Sequence, residues 1–251
     1  VQFTVKDATI TVNMPDRATL LSEVAARFAR NDGFALATLN LDHLVKLRDD
    51  AAFRAAYRTH DLVTADGNPV VWLSRTAGQP VTLVPGSDLV LPLCRAAAAA
   101  DVPVALVGGR ATTLDRAAER LTEEVPGLCV VLKHAPPMGF DPNSPLADDI
   151  LRAVGASGAR LCFLALGAPR QEILAARGRA TVPQVGFASI GAGLDFLAGD
   201  QARAPAWVRA IAMEWFWRMA SNPRRLAGRY WRSGLALPGL WIQARQSRHS
   251  R

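Results

Sequence analysis

Short, almost wholly apolar runs recur along the chain, each closed by a turn carrying polar residues or glycine: "FALAT" before Asn40, "LVTA" before Asp66, "VPVALVG" before Gly109, "LCVVL" before Lys133, "LCFLALG" before Pro169 and "VGFASIG" before Ala192. Runs of that length without polar alternation suit strands covered on both faces. Stretches with helical spacing separate them, at Asp16 to Ala29, Ser87 to Ala100, Thr113 to Val125 and Pro145 to Val154, and a further helix is predicted to begin near Pro69. The alternation predicts an α/β fold, a Rossmann-like and mostly parallel sheet with helices on both faces. The opening "VQFTVKDATITV" instead alternates with period two around Lys6-Asp7, which predicts a short hairpin at the sheet edge. "RAAAAAD" is a strong helix former with no chemistry attached.

With 251 residues, half of them hydrophobic, the chain can bury one large core or two small ones. Composition changes near Gln201. Five of the six tryptophans fall beyond it, interleaved with ten arginines against the single acid Glu214. The division expected is therefore an α/β body over 1–200 and an Arg/Trp-rich helical appendage over 201–251. The net charge of +7 is concentrated in that appendage, which implies an anionic partner there. Cys94, Cys129 and Cys162 lack CxxC spacing and are odd in number, so a disulfide framework is not expected. No signal-like segment opens the sequence, and no uncharged stretch reaches the roughly 20 residues of a membrane span. These features predict a cytoplasmic protein free to touch a membrane surface.

In open parallel sheets, ligands bind beyond the carboxyl ends of the strands, where loops vary and helix N-termini point their amides outward. Polar residues cluster there: Thr38 and Asn40 after one strand, Asp66 after the next, Gly108-Gly109 after a third. Partial burial at such a position raises a carboxyl above the usual value of about 3.9 and makes Asp66 a usable general base. An Asx-turn or an N-cap for the following helix is the commoner role of an aspartate so placed. Gly108-Gly109 can cradle a phosphate or simply make a tight turn. Neither GxGxxG nor GxxxxGK[ST] occurs, which argues against dinucleotide and P-loop chemistry. No Asp-x-Asp pair occurs either, so a transferase using a metal to hold a diphosphate is not expected. The histidines His43, His60, His134 and His249 lack ligand spacing and read as solvent-facing or internally satisfied. In the turn Gly167-Ala168-Pro169-Arg170-Gln171-Glu172, Pro169 at the first helical position and Glu172 in the first turn are explained by capping. Arg170 and Gln171 are not, and both are candidates for facing a ligand. Asp195 after its two glycines is either a turn residue or a ribose or base contact.

Taken in order, Thr38-Leu39-Asn40, Ala65-Asp66-Gly67, Gly86-Ser87-Asp88, Gly108-Gly109, Pro169-Arg170-Gln171-Glu172, Gly191 to Phe196, Arg203-Ala204-Pro205, Glu214-Trp215 and Pro223 to Leu226 resemble the WecG/TagA/CpsF family of bacterial glycosyltransferases over about Phe34 to Tyr230. The resemblance implies an inverting, metal-independent, membrane-associated enzyme that moves a sugar from a UDP-sugar to a polyprenyl-diphosphate-linked sugar. The donors used in the family are N-acetylmannosamine, its uronic acid or glucose. It implies Asp66 as general base, Thr38 and Gln171 lining the same pocket, and Asp195 at the nucleoside. Asn40, Gly108, Gly109, Pro169, Arg170 and Glu172 are the further substrate- or nucleotide-binding candidates. Arg170 stands where the family usually has lysine, keeping the charge but changing donor geometry. Leu194 replaces a usual phenylalanine, Asn222 a usual acid, and Gly228 the first of two usual arginines.

Without a metal, stabilisation of the leaving UDP falls to arginines and backbone amides. Arg203, Arg218, Arg225 and Arg229 are the candidates near the diphosphate and the lipid. Arg225, Arg229 and Arg232 share one helical stripe, and the adjoining tryptophans and "LALPGLWI" suit an anionic membrane interface, predicting a peripheral protein on the inner face of the cell membrane. A homo-oligomer interface is the alternative use of the same residue types. Nucleic acid is not expected, since no recognised binding motif accompanies the basic stripe. No cofactor is expected. The rival function is a UDP-sugar-binding scaffold or regulator that performs no transfer.

Overall fold

The protein is described from a computed structural model, which covers residues 1–201, 204, 205, 208, 217 and 223–249, with backbone alone at 223–227, 229, 230, 232 and 249. Six strands form the main sheet: β3 (Phe34–Leu39), β4 (Leu62–Ala65), β5 (Val104–Gly108), β6 (Val130–His134), β7 (Leu161–Ala165) and β8 (Gly186–Ser189), in the order β4-β3-β8-β7-β5-β6. Every pairing is parallel, as the unbroken apolar runs require. Alternate side chains of β3 divide between two cores. Phe34 and Leu36 join one layer with helices α1 (Arg17–Arg30), α5 (Gly86–Ala99), α6 (Ala111–Glu124) and the short α9 (Gly193–Leu197). Ala35, Ala37 and Leu39 face the other, built from α2 (Leu41–Asp49), α3 (Ala51–Arg58), α4 (Asn68–Thr76), α7 (Pro145–Ala156) and α8 (Arg170–Thr181).

Helix boundaries follow local chemistry. Asp16 caps α1 by accepting from the Thr19 N–H at 2.8 Å, and Asn31 ends that helix in the left-handed region at φ 61°. Pro169 lies one position outside α8, which begins at Arg170, so the proline is the cap residue rather than the first helical one.

The hairpin departs from expectation. β1 (Gln2–Val5) and β2 (Ala8–Thr11) pair only with each other and form a separate two-stranded sheet. Their inward side chains Phe3, Val5, Ala8 and Ile10 pack with Leu44, Leu47, Phe53 and Tyr57, on α2 and α3. Period-two alternation specifies that one face is buried and leaves its partner open. The β4 edge is covered instead by passing chain, with Val63 bonded to Asn13 and Met14, and Ala65 to Val84.

The last described helix, α10 (Pro223–His249), lies against α2 and α4. Ala236, Leu240 and Ala244 are buried with Val70, Val71, Leu73 and Ala77, and Gln243 donates to the Thr4 carbonyl of the hairpin at 2.9 Å. The hairpin thereby props the helix.

At the amino ends of the strands, Asp61 accepts from the Ala35 N–H at 2.8 Å and from Arg179 Nε at 3.2 Å, with Arg27 at 3.5 Å and Asp32 completing the network. Removing one member of a partly buried charge network strands the others. Asp61→Ala should destabilise the fold by about 2–3 kcal/mol, read as a lower urea midpoint, and Asp61→Asn by less because it keeps an acceptor for Ala35.

Candidate active site

The connections from β5 and β7 leave for opposite layers, α6 on one side and α8 on the other. Such a change of layer between neighbouring strands is the general location of ligands in parallel sheets. Gly108 there has φ 126°, and a Cβ on it would overlap the Ala165 carbonyl oxygen of β7. Only glycine lets the two strand ends approach so closely. Gly109, at φ 63°, is exposed and leads into the N-terminus of α6. The Thr113 hydroxyl donates to Asp200 at 2.5 Å and Arg116 pairs with the same carboxylate, tying the end of the α9 segment to α6. Asp195, in α9, is half-buried and accepts from Gln201 at 3.1 Å.

The second group lies at the ends of β3, β4 and β8. Thr38 is buried and donates its hydroxyl to Asp66 Oδ2 at 3.3 Å. Asp66 is half-buried, and its N–H bonds back to the Leu39 carbonyl at 2.8 Å. It is not the cap of the next helix: Gly67 holds that position at φ 102° with no side-chain capping bond. Asp66 is thus not the N-cap residue itself, and its carboxylate stands beside Thr38 at the strand ends. Asn40 does cap α2, accepting from the His43 N–H at 3.0 Å, and lies beside Gly67. Gly86, opening α5, sits so close to Thr38 Oγ1 and the Ile190 backbone that an added Cβ would press on both, at 3.2 and 3.1 Å.

The turn between β7 and α8 has an internal logic that capping alone did not supply. Gln171 is buried, and its Oε1 accepts from two backbone N–H groups, Gly167 at 3.2 Å and Gly191 at 3.1 Å. Its Nε2 donates to Glu172 Oε1 at 2.8 Å. Gln171 thus joins the turns after β7 and β8. Arg170 is exposed and makes no ion pair among the described residues, and Pro169 is half-buried. Glu172 is fully buried, and its Oε2 has no hydrogen-bond partner. Burial pushes its carboxyl up to about 7, against smaller opposing effects from the Gln171 amide and Lys46.

Sequence reasoning missed the polar layer beneath this turn. Lys46 of α2 donates to the Ala168 carbonyl at 3.2 Å and pairs with Asp42 at 2.9 Å. His43 and Tyr57 are buried together, ring nitrogen to hydroxyl at 3.1 Å. The reading of His43 as internally satisfied holds. The only local signal for this layer is the Asp42/Lys46 spacing of four, which every exposed helix also uses.

Arg203 and Arg218 lie outside the described residues. Arg225 and Arg229 fall on the first turns of α10, where the backbone alone is described. Among the described residues, no three His, Cys, Asp or Glu side chains converge as a metal site. Cys94 and Cys162 are buried thiols and Cys129 is exposed; none is disulfide-bonded.

A parallel α/β body with its polar groups gathered at the strand ends is an architecture of group-transfer enzymes as well as of many others. The model of the WecG/TagA/CpsF glycosyl transferase family matches residues 5–251, essentially the whole chain. The chain belongs to that family and is a glycosyltransferase of cell-surface polysaccharide synthesis.

Glu172 has a measurable signature. The unfolded chain ionises this carboxyl near 4.5 and the folded one near 7, so stability is greatest at low pH and falls as pH rises across that window, levelling off above it. Glu172→Gln has no proton to lose. The urea midpoint of the native protein relative to the variant should therefore decline between pH 4.5 and 7.5, and parallel profiles would contradict the burial effect.

Proposed function

We propose that the protein transfers a sugar from a UDP-sugar to a polyprenyl-diphosphate-linked sugar, without a metal and with inversion at the anomeric carbon. The observation that carries this reading is the pairing of Thr38 with Asp66 at adjacent strand ends, the Thr38 hydroxyl donating to Asp66 Oδ2. Asp66 takes the proton of the acceptor hydroxyl as that oxygen attacks the anomeric carbon. The bond from that carbon to the UDP oxygen breaks, and UDP leaves with the bonding electrons. Thr38 holds the carboxylate in place. Gly109, exposed where β5 ends, offers its backbone to phosphate beside the N-terminus of α6, Gly108 lets β5 close on β7, and Asp195 of α9 is the candidate contact to the nucleoside. Arg170 supplies an exposed cation at the start of α8. Arg203, Arg218, Arg225 and Arg229 are proposed to meet the diphosphates from the C-terminal segment.

The surface of α10 supports membrane contact. Opposite its buried face of Ser233, Ala236, Leu240 and Ala244, the helix exposes Trp231, Leu235, Trp241 and Ile242, with the Arg245 guanidinium over the Trp241 ring at 5.5 Å. Apolar anchors next to arginines suit an anionic leaflet. No helix among the described residues is long and apolar enough to cross a membrane. The protein is therefore proposed to sit peripherally on the inner face of the cell membrane.

Two measurements check this. Detergent-solubilised protein is incubated with polyprenyl-diphosphate-GlcNAc or -glucose, a panel of UDP-sugars and excess chelator, and UDP release is followed. Acceptor-dependent release with one donor is expected, and Asp66→Ala should lower the rate by about 10²- to 10⁴-fold. UDP binding without release across the panel would favour a non-catalytic scaffold. In the second, replacing Trp231, Leu235 and Ile242 with serine should cut co-sedimentation with phosphatidylglycerol-containing vesicles at least tenfold while leaving the thermal midpoint of the body nearly unchanged.

A further inference from the structure

Gln171 and Glu172 occupy a position in the hydrogen-bond network that substrate contact does not account for. Both side chains are buried, and the Gln171 carboxamide is engaged at both ends by protein groups. Its oxygen receives two N–H groups from two different strand-end turns. Those turns contain Gly167 and Gly191, both at positive φ, 71° and 58°, where the backbone has no side chain of its own to fix it. An amide can serve in this way only if it keeps its oxygen toward the glycines, and that orientation is set by whatever takes its N–H. Here the acceptor is Glu172 Oε1.

The consequence reaches the reacting groups through contacts already described. Gly191 follows Ile190, whose backbone lies against Gly86; Thr38 Oγ1 lies against the same glycine, and Thr38 holds Asp66. On the other side, the Gly167 turn is fixed at Ala168 by Lys46. A shift of the Gln171 amide therefore moves the β8 turn against Gly86, and through Gly86 reaches Thr38. Misplacement of a catalytic group by about 1 Å can cost about 10²-fold in rate.

We propose that Gln171 and Glu172 act as a pair of positioning residues, in which the buried Glu172 carboxyl orients the Gln171 carboxamide so that it locks the turns after β7 and β8 and thereby sets the placement of Thr38 and Asp66. As a statement about transfer, this rests on the proposed function above; as a statement about the turns, it does not. Burial of Glu172 fits the role, since the Gln171 amide is the side chain that its carboxyl engages. The charged and titratable groups facing it are Lys46 and Asp42 of α2 and Tyr57 of α3, and Tyr57 in turn feels Asp66 after β4.

The test uses the full chain and two readouts. The first is hydrogen exchange at the Gly167 and Gly191 amides. The second is the split of the transfer kinetics between kcat and donor KM. Glu172→Met removes the acceptor, and exchange at both glycines should accelerate at least tenfold while kcat falls by about 10- to 100-fold and KM changes little. Glu172→Gln retains an oxygen for the Gln171 N–H and should recover at least tenfold of the lost kcat. A role swap covers the case in which Glu172→Met does not fold. Gln171→Glu sets two carboxyls against each other and should lose at least tenfold in kcat; adding Glu172→Gln restores one donor and one acceptor with the residues exchanged, and should recover it. Unchanged exchange at both glycines in Glu172→Met, or no recovery by Glu172→Gln and by the swap, overturns the proposal. If the native protein shows no acceptor-dependent release, the functional reading fails separately, and the exchange rates alone decide the pairing.

Discussion

A strand covered on both faces has nowhere to place a polar side chain except at its ends. Five of the six parallel strands meet that constraint, the edge strand β6 with its exposed Val131 and Lys133 being the exception, and the rest of the molecule follows from it. The sheet interior is apolar with few exceptions, among them Thr64 and Ser189. Charge is pushed to two rims. At one, Asp61 and its arginines hold the amino ends of β3 and β4 to α1 and α8. At the other, Thr38, Asp66, Gln171 and Glu172 gather where the chain leaves the strands.

The carboxyl rim also shows why a buried polar group differs from a surface one. Water cannot take up the slack around Gln171, so each of its bonds fixes something. The amide oxygen is shared between two glycine N–H groups, and the nitrogen is committed to a carboxyl whose ionisation burial opposes. Such a network is strong when complete and expensive when one member is lost. Tyr57 and His43 extend the same layer downward, where the nearby carboxylates of Glu172 and Asp66 add to burial in holding the Tyr57 hydroxyl protonated.

Much of the frame was legible in the chain itself. All six strands of the main sheet and most of the helices follow from apolar runs alternating with helical spacing, because burial leaves that mark directly; α2, α3 and the short α9 were not read. The hairpin was legible as a hairpin yet misplaced, since alternation tells which side is buried and not against what. Of the site, Thr38, Asp66 and the Gln171 turn were legible as positions. Their relations were not: Gln171 bonds Gly191, twenty residues on in sequence, and Lys46 reaches Ala168 across a far longer interval. Contacts of that kind depend on strand order, which local patterns do not encode. Pro169 moved by one position because the end of a helix is set by cap geometry rather than by propensity.

The α10 helix carries two unlike faces, one pressed on α2 and α4 and one of exposed tryptophan, leucine and isoleucine. Its neighbour α4 begins immediately after Asp66-Gly67, and its neighbour α2 begins at the Asn40 cap. Helices α2 and α4 thus stand between the exposed face of α10 and the rim where Thr38 and Asp66 meet: one pair of helices backs both an outer apolar surface and the ends of β3 and β4.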